Sequence, residues 1–197
     1  MSKIVASATM SLDGYIAGPE ETGFEHLFAW YSTGETDYPS ANPDVPFRMT
    51  EGDAAYLRGV VDSAGAFVVG RRLFDITNGW NGIHPLDKPI VVVTHRVPDQ
   101  WIADHPDAPF TFADGIKDAI DLARGIAGEK NIAVNGGTIA RQCLEAGLLD
   151  ELWVDLAPVL LGDGVPLLGH FDGAPVLLDG PEIVPGNRVT HLRYRVS

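Results

Sequence analysis

Short, largely apolar runs recur along the chain at residues 3–10, 66–69, 90–93 and 131–134. Each gives way at once to Ser, Gly, Thr or Asn. Runs of four to eight apolar residues have strand length, and a strand buried on both faces reads as continuous rather than alternating. Between them the spacing changes to that of helices. Leu57, Val60, Val61 and Ala64 share one helical face, and Thr50 with Asp53 resembles a capping box at its start. Ile116, Ala119, Ile120, Ala123 and Ala127 form a second face, with Asp114 placed to cap it. Ile139, Cys143 and Leu144 form a third, and Gly147 sits where a C-terminal cap belongs. Phe24, Leu27, Phe28 and Tyr31 suggest a short helix over 20–31, and residues 110–112 a short strand.

The end of the chain has another rhythm. Residues 151–161 read as a strand with Pro158 at an edge or bulge, and 175–184 and 188–196 flank Pro185-Gly186-Asn187 as a hairpin. Strands alternating with helices, followed by a hairpin, predict a mainly parallel α/β sheet with antiparallel strands at one edge. No repeat or linker divides residues 1–197, and the length suits one domain. Residues 32–47 contain three prolines and no clear pattern, which predicts a lid or a disordered segment.

The formal charge of −13 argues against nucleic acid or an anionic membrane as partner. No apolar run approaches the roughly 20 residues of a membrane span. The single cysteine, Cys143, forbids an intramolecular disulfide and a cysteine metal cage, and no His/Asp/Glu cluster has metal-ligand spacing. A cytoplasmic protein is the expectation.

In parallel sheets ligands bind beyond the C-terminal ends of the strands, and these ends carry distinctive chemistry. Asn135-Gly136-Gly137 leads into a helix at Thr138 and Ile139, where open amides and the helix dipole suit a phosphate. The same glycine pair also serves as a plain tight turn. Gly70-Arg71-Arg72 and Thr94-His95-Arg96 follow two further strands, and guanidinium groups bind phosphate through paired donors. Three such ends accommodate a dinucleotide with an extra phosphate, although the usual glycine-rich fingerprint is absent. Asp13 ends the first strand, where desolvation would raise its pKa and suit it to proton relay; capping the Asp-Gly turn is its other role.

The ordered set Ser11-Leu12-Asp13-Gly14-Tyr15-Ile16-Ala17, Val69-Gly70-Arg71-Arg72-Leu73-Phe74, Val93-Thr94-His95-Arg96, Gly136-Gly137 and Ala157 to Gly164 resembles the dihydrofolate reductase superfamily. Within it, the chain is similar to small bacterial proteins like the reductase domain of the riboflavin-biosynthesis deaminase-reductase. The resemblance implies a sheet of about eight strands, often a homodimer, and NADPH as cofactor. Gly70, Arg71 and Arg72 would contact its phosphates, Thr94, His95 and Arg96 the adenosine 2′-phosphate end, and Gly136, Gly137, Thr138 and Ile139 the pyrophosphate. A small heterocyclic or carbonyl/imine substrate would lie over Asp13. The riboflavin enzymes typically carry lysine where Tyr15 stands and glutamate where Asn135 stands, so a different substrate is expected. A nucleotide-binding protein with little catalysis, and a dimerisation module, are the competing readings.

Overall fold

The computed structural model describes residues 2–197. Strand β1 (Ile4–Ser11) lies near the centre of an eight-stranded sheet. On one side it pairs in parallel with β8 (Asn131–Asn135), which is followed by β5 (Ala64–Gly70), β6 (Ile90–Val93) and β7 (Phe110–Ala113). On the other it pairs in parallel with β9 (Glu151–Ala157), and β12 (Thr190–Val196) and β11 (Leu178–Pro185) complete the sheet in antiparallel fashion. Two minor ladders join β2 (Tyr15–Ala17) to β10 (Val165–Pro166), and β3 (Thr36–Tyr38) to β4 (Phe47–Met49). Helices α2 (Glu51–Ser63), α5 (Ile116–Ala127) and α6 (Thr138–Glu145) cover the faces, with α1 (Phe24–Leu27), α3 (Arg71–Ile76) and α4 (Asp99–Asp104) in the connections. This is the dihydrofolate reductase-like arrangement implied by the sequence motifs. Among the described residues no helix is long and apolar enough to cross a membrane.

The apolar runs become strands because both sheet faces are covered. Ala6, Val68, Val91, Ile132 and Val134 are at most 1% exposed, and Ala119, Ile120 and Ala123 of α5 and Cys143 of α6 pack on them. Burial of Cys143 pushes its thiol up to about 12, so it remains a neutral packing group. Gly147 has φ +65° and its amide donates to the Leu144 carbonyl, ending α6 as the pattern requires.

Four local expectations are corrected. The helix over 20–31 is reduced to the four residues of α1 flanked by single turns, because Gly23 enters at φ +80°. The strand over 151–161 stops at Ala157, ahead of Pro158. Asp114 does not cap α5; its carboxylate pairs with His95 and Gly115 takes the cap position. The proline-rich stretch contributes β3 to a hairpin with β4, and Asn42, 4% exposed, donates to the carbonyls of Trp80 and Ile83. The segment is thereby fastened to the connection after α3.

His84 lies in that connection, edge-on to Phe67 and Trp80, with Nδ1 accepting from the Leu86 amide. Burial lowers its pKa to about 4. The unfolded chain therefore binds a proton on His84 that the folded chain refuses between about pH 6.5 and about pH 4. Its contribution to stability is complete above that window and is lost as the pH falls through it. Urea midpoints measured across this range should fall by the equivalent of about 3 kcal/mol, and His84→Asn should flatten that part of the profile.

Candidate active site

A cavity of about 730 Å3 opens beyond the C-terminal ends of β5 and β8. Gly136, Gly137, Thr138 and Ile139 form one side, and Gly70, Arg71 and Arg72 form another. The two strand ends are tied by one side chain. Asn135 Oδ1 accepts from the Gly70 amide at 3.0 Å, and its Nδ2 donates to the Gly136 carbonyl at 2.8 Å. Gly137 has φ +75° and ψ −140°, a conformation that L side chains rarely adopt, and no side chain caps the first turn of α6. A Cβ on Gly136 would stand 3.1 Å from both Ala8 Cβ and Ile16 Cδ1. The glycines thus permit a close approach of backbone amides at a helix N-terminus, where an anion is stabilised.

The loops around this turn brace it. Leu12 N donates to Val159 O at 2.8 Å, Leu167 N to Gly14 O at 3.0 Å, and Gly137 N to Leu167 O at 2.6 Å. Asp13 belongs to this brace. Its carboxylate accepts from the Ser11 hydroxyl at 2.6 Å and from the amides of Leu161 and Gly162 at 3.1 and 2.7 Å. The expected rise in its pKa is corrected: the Ser11 hydroxyl, then the Gly162 and Leu161 amides, outweigh desolvation and hold the carboxyl below its usual value. Asp13 is not in the cavity wall, and its carboxylate fastens the 158–164 loop to the end of β1.

Thr94, His95 and Arg96 lie behind Arg71 rather than in the wall. Arg71 Nη1 donates to the Thr94 hydroxyl at 3.3 Å and to the Arg96 carbonyl, while Nε donates to Asp75 at 2.7 Å. The Thr94 hydroxyl folds the turn by donating to the Arg96 carbonyl at 2.9 Å. Arg72 is paired with Glu21 across the cavity mouth. Seven of the expected site residues therefore meet at one cavity, and the other four support or flank it.

The sequence reading missed the opposite wall. Asp155 of β9 faces the cavity and lies between Thr9 of β1 and His191 of β12 in register. Its Oδ1 accepts from the Tyr56 hydroxyl at 3.1 Å and from His191 Nδ1 at 2.7 Å, and His191 Nε2 faces Asp53 Oδ1 at 3.4 Å. Asp53 in turn accepts from the Thr50 hydroxyl at 2.6 Å and from the Asn187 amide at 3.2 Å, which docks the C-terminal hairpin on the start of α2. Desolvation first, then the Asp155 charge, raises the pKa of both Tyr31 and Tyr56, keeping these phenols protonated. A smaller cavity of about 180 Å3 between α2 and the sheet shares Asp155, Tyr31 and Asn135 with the main one. The available signal was an acidic residue alternating in step with Glu151 and Trp153 in an otherwise apolar strand.

An open cleft beyond the strand ends of such a sheet, with glycine and arginine on one wall and a buried carboxylate on the other, belongs to an α/β domain of the dihydrofolate reductase-like class. Residues 2–176 match the family described as RibD C-terminal domain, and the chain belongs to that family. No curated protein matches the sequence. Among solved structures it is similar to a protein from Shewanella sp. PV-4 named for riboflavin biosynthesis, at 23% identity and TM-score 0.67, covering 100% of this chain and 99% of that one. A pyrimidine reductase-like protein from Corynebacterium diphtheriae matches at 16% identity and TM-score 0.60, covering 100% and 92%. The riboflavin biosynthesis reductase Rib7 of Saccharomyces matches at 11% and 0.62, covering 100% and 90%. At these identities the likeness establishes the fold.

Proposed function

We propose that the protein is an NADPH-dependent reductase acting on a small heterocyclic or carbonyl/imine compound. The observation that carries this reading is the convergence of Gly136-Gly137, the uncapped start of α6 and Gly70-Arg71-Arg72 on one cavity. Family membership and the reductase and reductase-like proteins among its structural relatives support it. The residues present fit the cofactor. The Thr138 and Ile139 amides and the Gly136-Gly137 turn would hold the pyrophosphate, and Arg72 would exchange Glu21 for a phosphate oxygen. Arg71 would hold the Thr94-His95-Arg96 turn in place, leaving the exposed Arg96 guanidinium for the adenosine 2′-phosphate. When bound, the dihydronicotinamide supplies a hydride. Phe24, Phe28 and Tyr31 give the substrate an apolar wall that excludes water, and Asp155 gives it a polar anchor.

Asp13 has a positioning role in this scheme, through the loop that braces Gly137. A second copy of the chain would cover the exposed Leu177 and Ile183 at the outer edge of the sheet. The test is cofactor discrimination. NADPH should bind at least about tenfold more tightly than NADH, as one charge-assisted phosphate contact allows, and Arg96→Ala should reduce that ratio. Equal affinities in calorimetric titrations of the unmodified protein would remove the basis for NADPH.

A further inference from the structure

We propose that the substrate carries an uncharged, apolar arm of ring size, and that this arm enters the chamber between α2 and the sheet. The inference rests on the reductase reading and names a substrate feature that the main cleft alone does not define. The chamber is the smaller cavity of about 180 Å3. Ser7, Tyr31, Leu73, Asn135 and Asp155 line both it and the main cavity, so the two spaces adjoin along these side chains. A molecule seated in the cleft can extend across that border.

The chamber has a cause in the sequence. On the sheet face turned to α2, the register sets Val5, Ala133 and Phe67 side by side on β1, β8 and β5. The opposite face of these strands carries Ile4, Ala66, Ile132 and Val134 in one continuous buried cluster with α5 and α6. The α2 face has two separate clusters instead, one around Trp30, Met49 and Leu57 and one around Val69, Phe74 and Ile90. Between them stand Ser7 and Ala133, small side chains on the two central strands. Both are only half-buried, although each strand is flanked by strands on both sides. The surface they keep lines the chamber. Protein interiors are close-packed, and a leucine in place of Ala133 would fill part of this space.

The occupant's chemistry follows from the wall. Val5, Leu57, Val60, Val69 and Trp80 give it apolar surface, and no lysine or arginine is among the described residues that line it. Arg193 stacks on the rings of Tyr56 and Trp153, 4.9 and 4.3 Å from their centroids, and is not part of the wall. Burial keeps His84 neutral near pH 7. The one carboxylate, Asp155, stands at the border with the cleft. An anionic arm would lose its hydration and meet no cation inside. Tyr56, Ser63 and Asn131 are engaged with Asp155, the Val60 carbonyl and the Lys3 amide, so these walls offer little hydrogen bonding to water. An uncharged ring gains by leaving water for such a wall. Apolar cavities of about 150 Å3 take up benzene, so the 180 Å3 here suits one six-membered ring with a small substituent.

The test is calorimetric titration of the unmodified protein near neutral pH with toluene and with benzoate, which share a ring and differ in charge. Toluene should bind at one site per chain, at least about tenfold more tightly than benzoate, whether or not NADPH is present. Ala133→Leu alters the chamber wall and not the cleft wall. It should weaken toluene binding at least about tenfold and leave NADPH affinity unchanged. In the unmodified protein, nuclear Overhauser contacts should join toluene to the methyl groups of Val5, Leu57 and Val60, which locates the site even if the variant does not fold. Contacts confined to Ile16 and Ile76 of the cleft wall would overturn the proposal. So would equal binding of the two probes, absence of toluene binding, displacement of toluene by NADPH, or undiminished toluene affinity in folded Ala133→Leu. Toluene binding without NADPH binding would remove the reductase reading alone, and NADPH binding without toluene binding would remove this inference alone.

Discussion

His191→Ala should lower the stability of the protein by about 3–5 kcal/mol, the range for truncating a large, fully buried ring to alanine. His191 is 1% exposed and stands between two acidic groups, Asp155 on its Nδ1 side and Asp53 on its Nε2 side. Its ring also stacks on Tyr56 with centroids 3.6 Å apart and meets Trp30 edge-on at 5.1 Å. Truncation leaves a void beneath Trp30, removes the stack and deprives Asp155 of the donor at His191 Nδ1. Urea unfolding monitored by circular dichroism is the measurement, with the slope checked so that a shifted midpoint reports stability. His191→Asn keeps a donor and should recover part of the loss. A change below about 1 kcal/mol would mean that the imidazole is not the link between the hairpin, β9 and α2.

That chain of buried polar groups is also where the sequence was least legible. Residues 90–93 and 66–69 could be read as strands because covering both faces demands unbroken apolar runs, and α5 could be read because its apolar period is 3.6. The Gly136-Gly137 turn was readable for a similar reason, since few residues tolerate φ +75° before a helix. Asp53, Asp155 and His191 lie on three separate elements, joined by the β9–β12 register, by the Tyr56 hydroxyl of α2 on Asp155 and by docking of the hairpin tip on α2. No local pattern encodes that meeting. The direction of the Asp13 pKa shift was illegible for a related reason: the Leu161 and Gly162 amides that bond its carboxylate are 148 and 149 residues away. The arginine motifs were found, yet their grouping was not; Arg71 is committed to the Thr94-to-Arg96 turn and Asp75 instead of standing free.

Gly137→Val should reduce NADPH affinity at least about tenfold while the protein stays folded. A β-branched residue at φ +75° and ψ −140° carries strain of about 1–3 kcal/mol, which the turn relieves by moving. Movement of the turn misaligns the first-turn amides of α6 and disturbs the contact of the Gly137 amide with Leu167 O. A valine side chain would also point towards Ile16 Cδ1 and Val165 Cγ1, which lie 3.6 and 3.8 Å from the ideal Cβ position. Both residues belong to the cavity wall, so the cavity narrows beside the turn. Circular dichroism and a thermal midpoint within a few degrees of the unmodified protein's would separate this loss from unfolding. Undiminished NADPH affinity in Gly137→Val would place the phosphate site elsewhere.

In the proposed function the cleft between Gly70-Arg71-Arg72 and Gly136-Gly137 holds a phosphorylated dinucleotide. Isothermal titration of the unmodified protein with NADPH tests it most directly. One site per chain with micromolar affinity is the expected result, and absence of binding up to millimolar NADPH would contradict the claim.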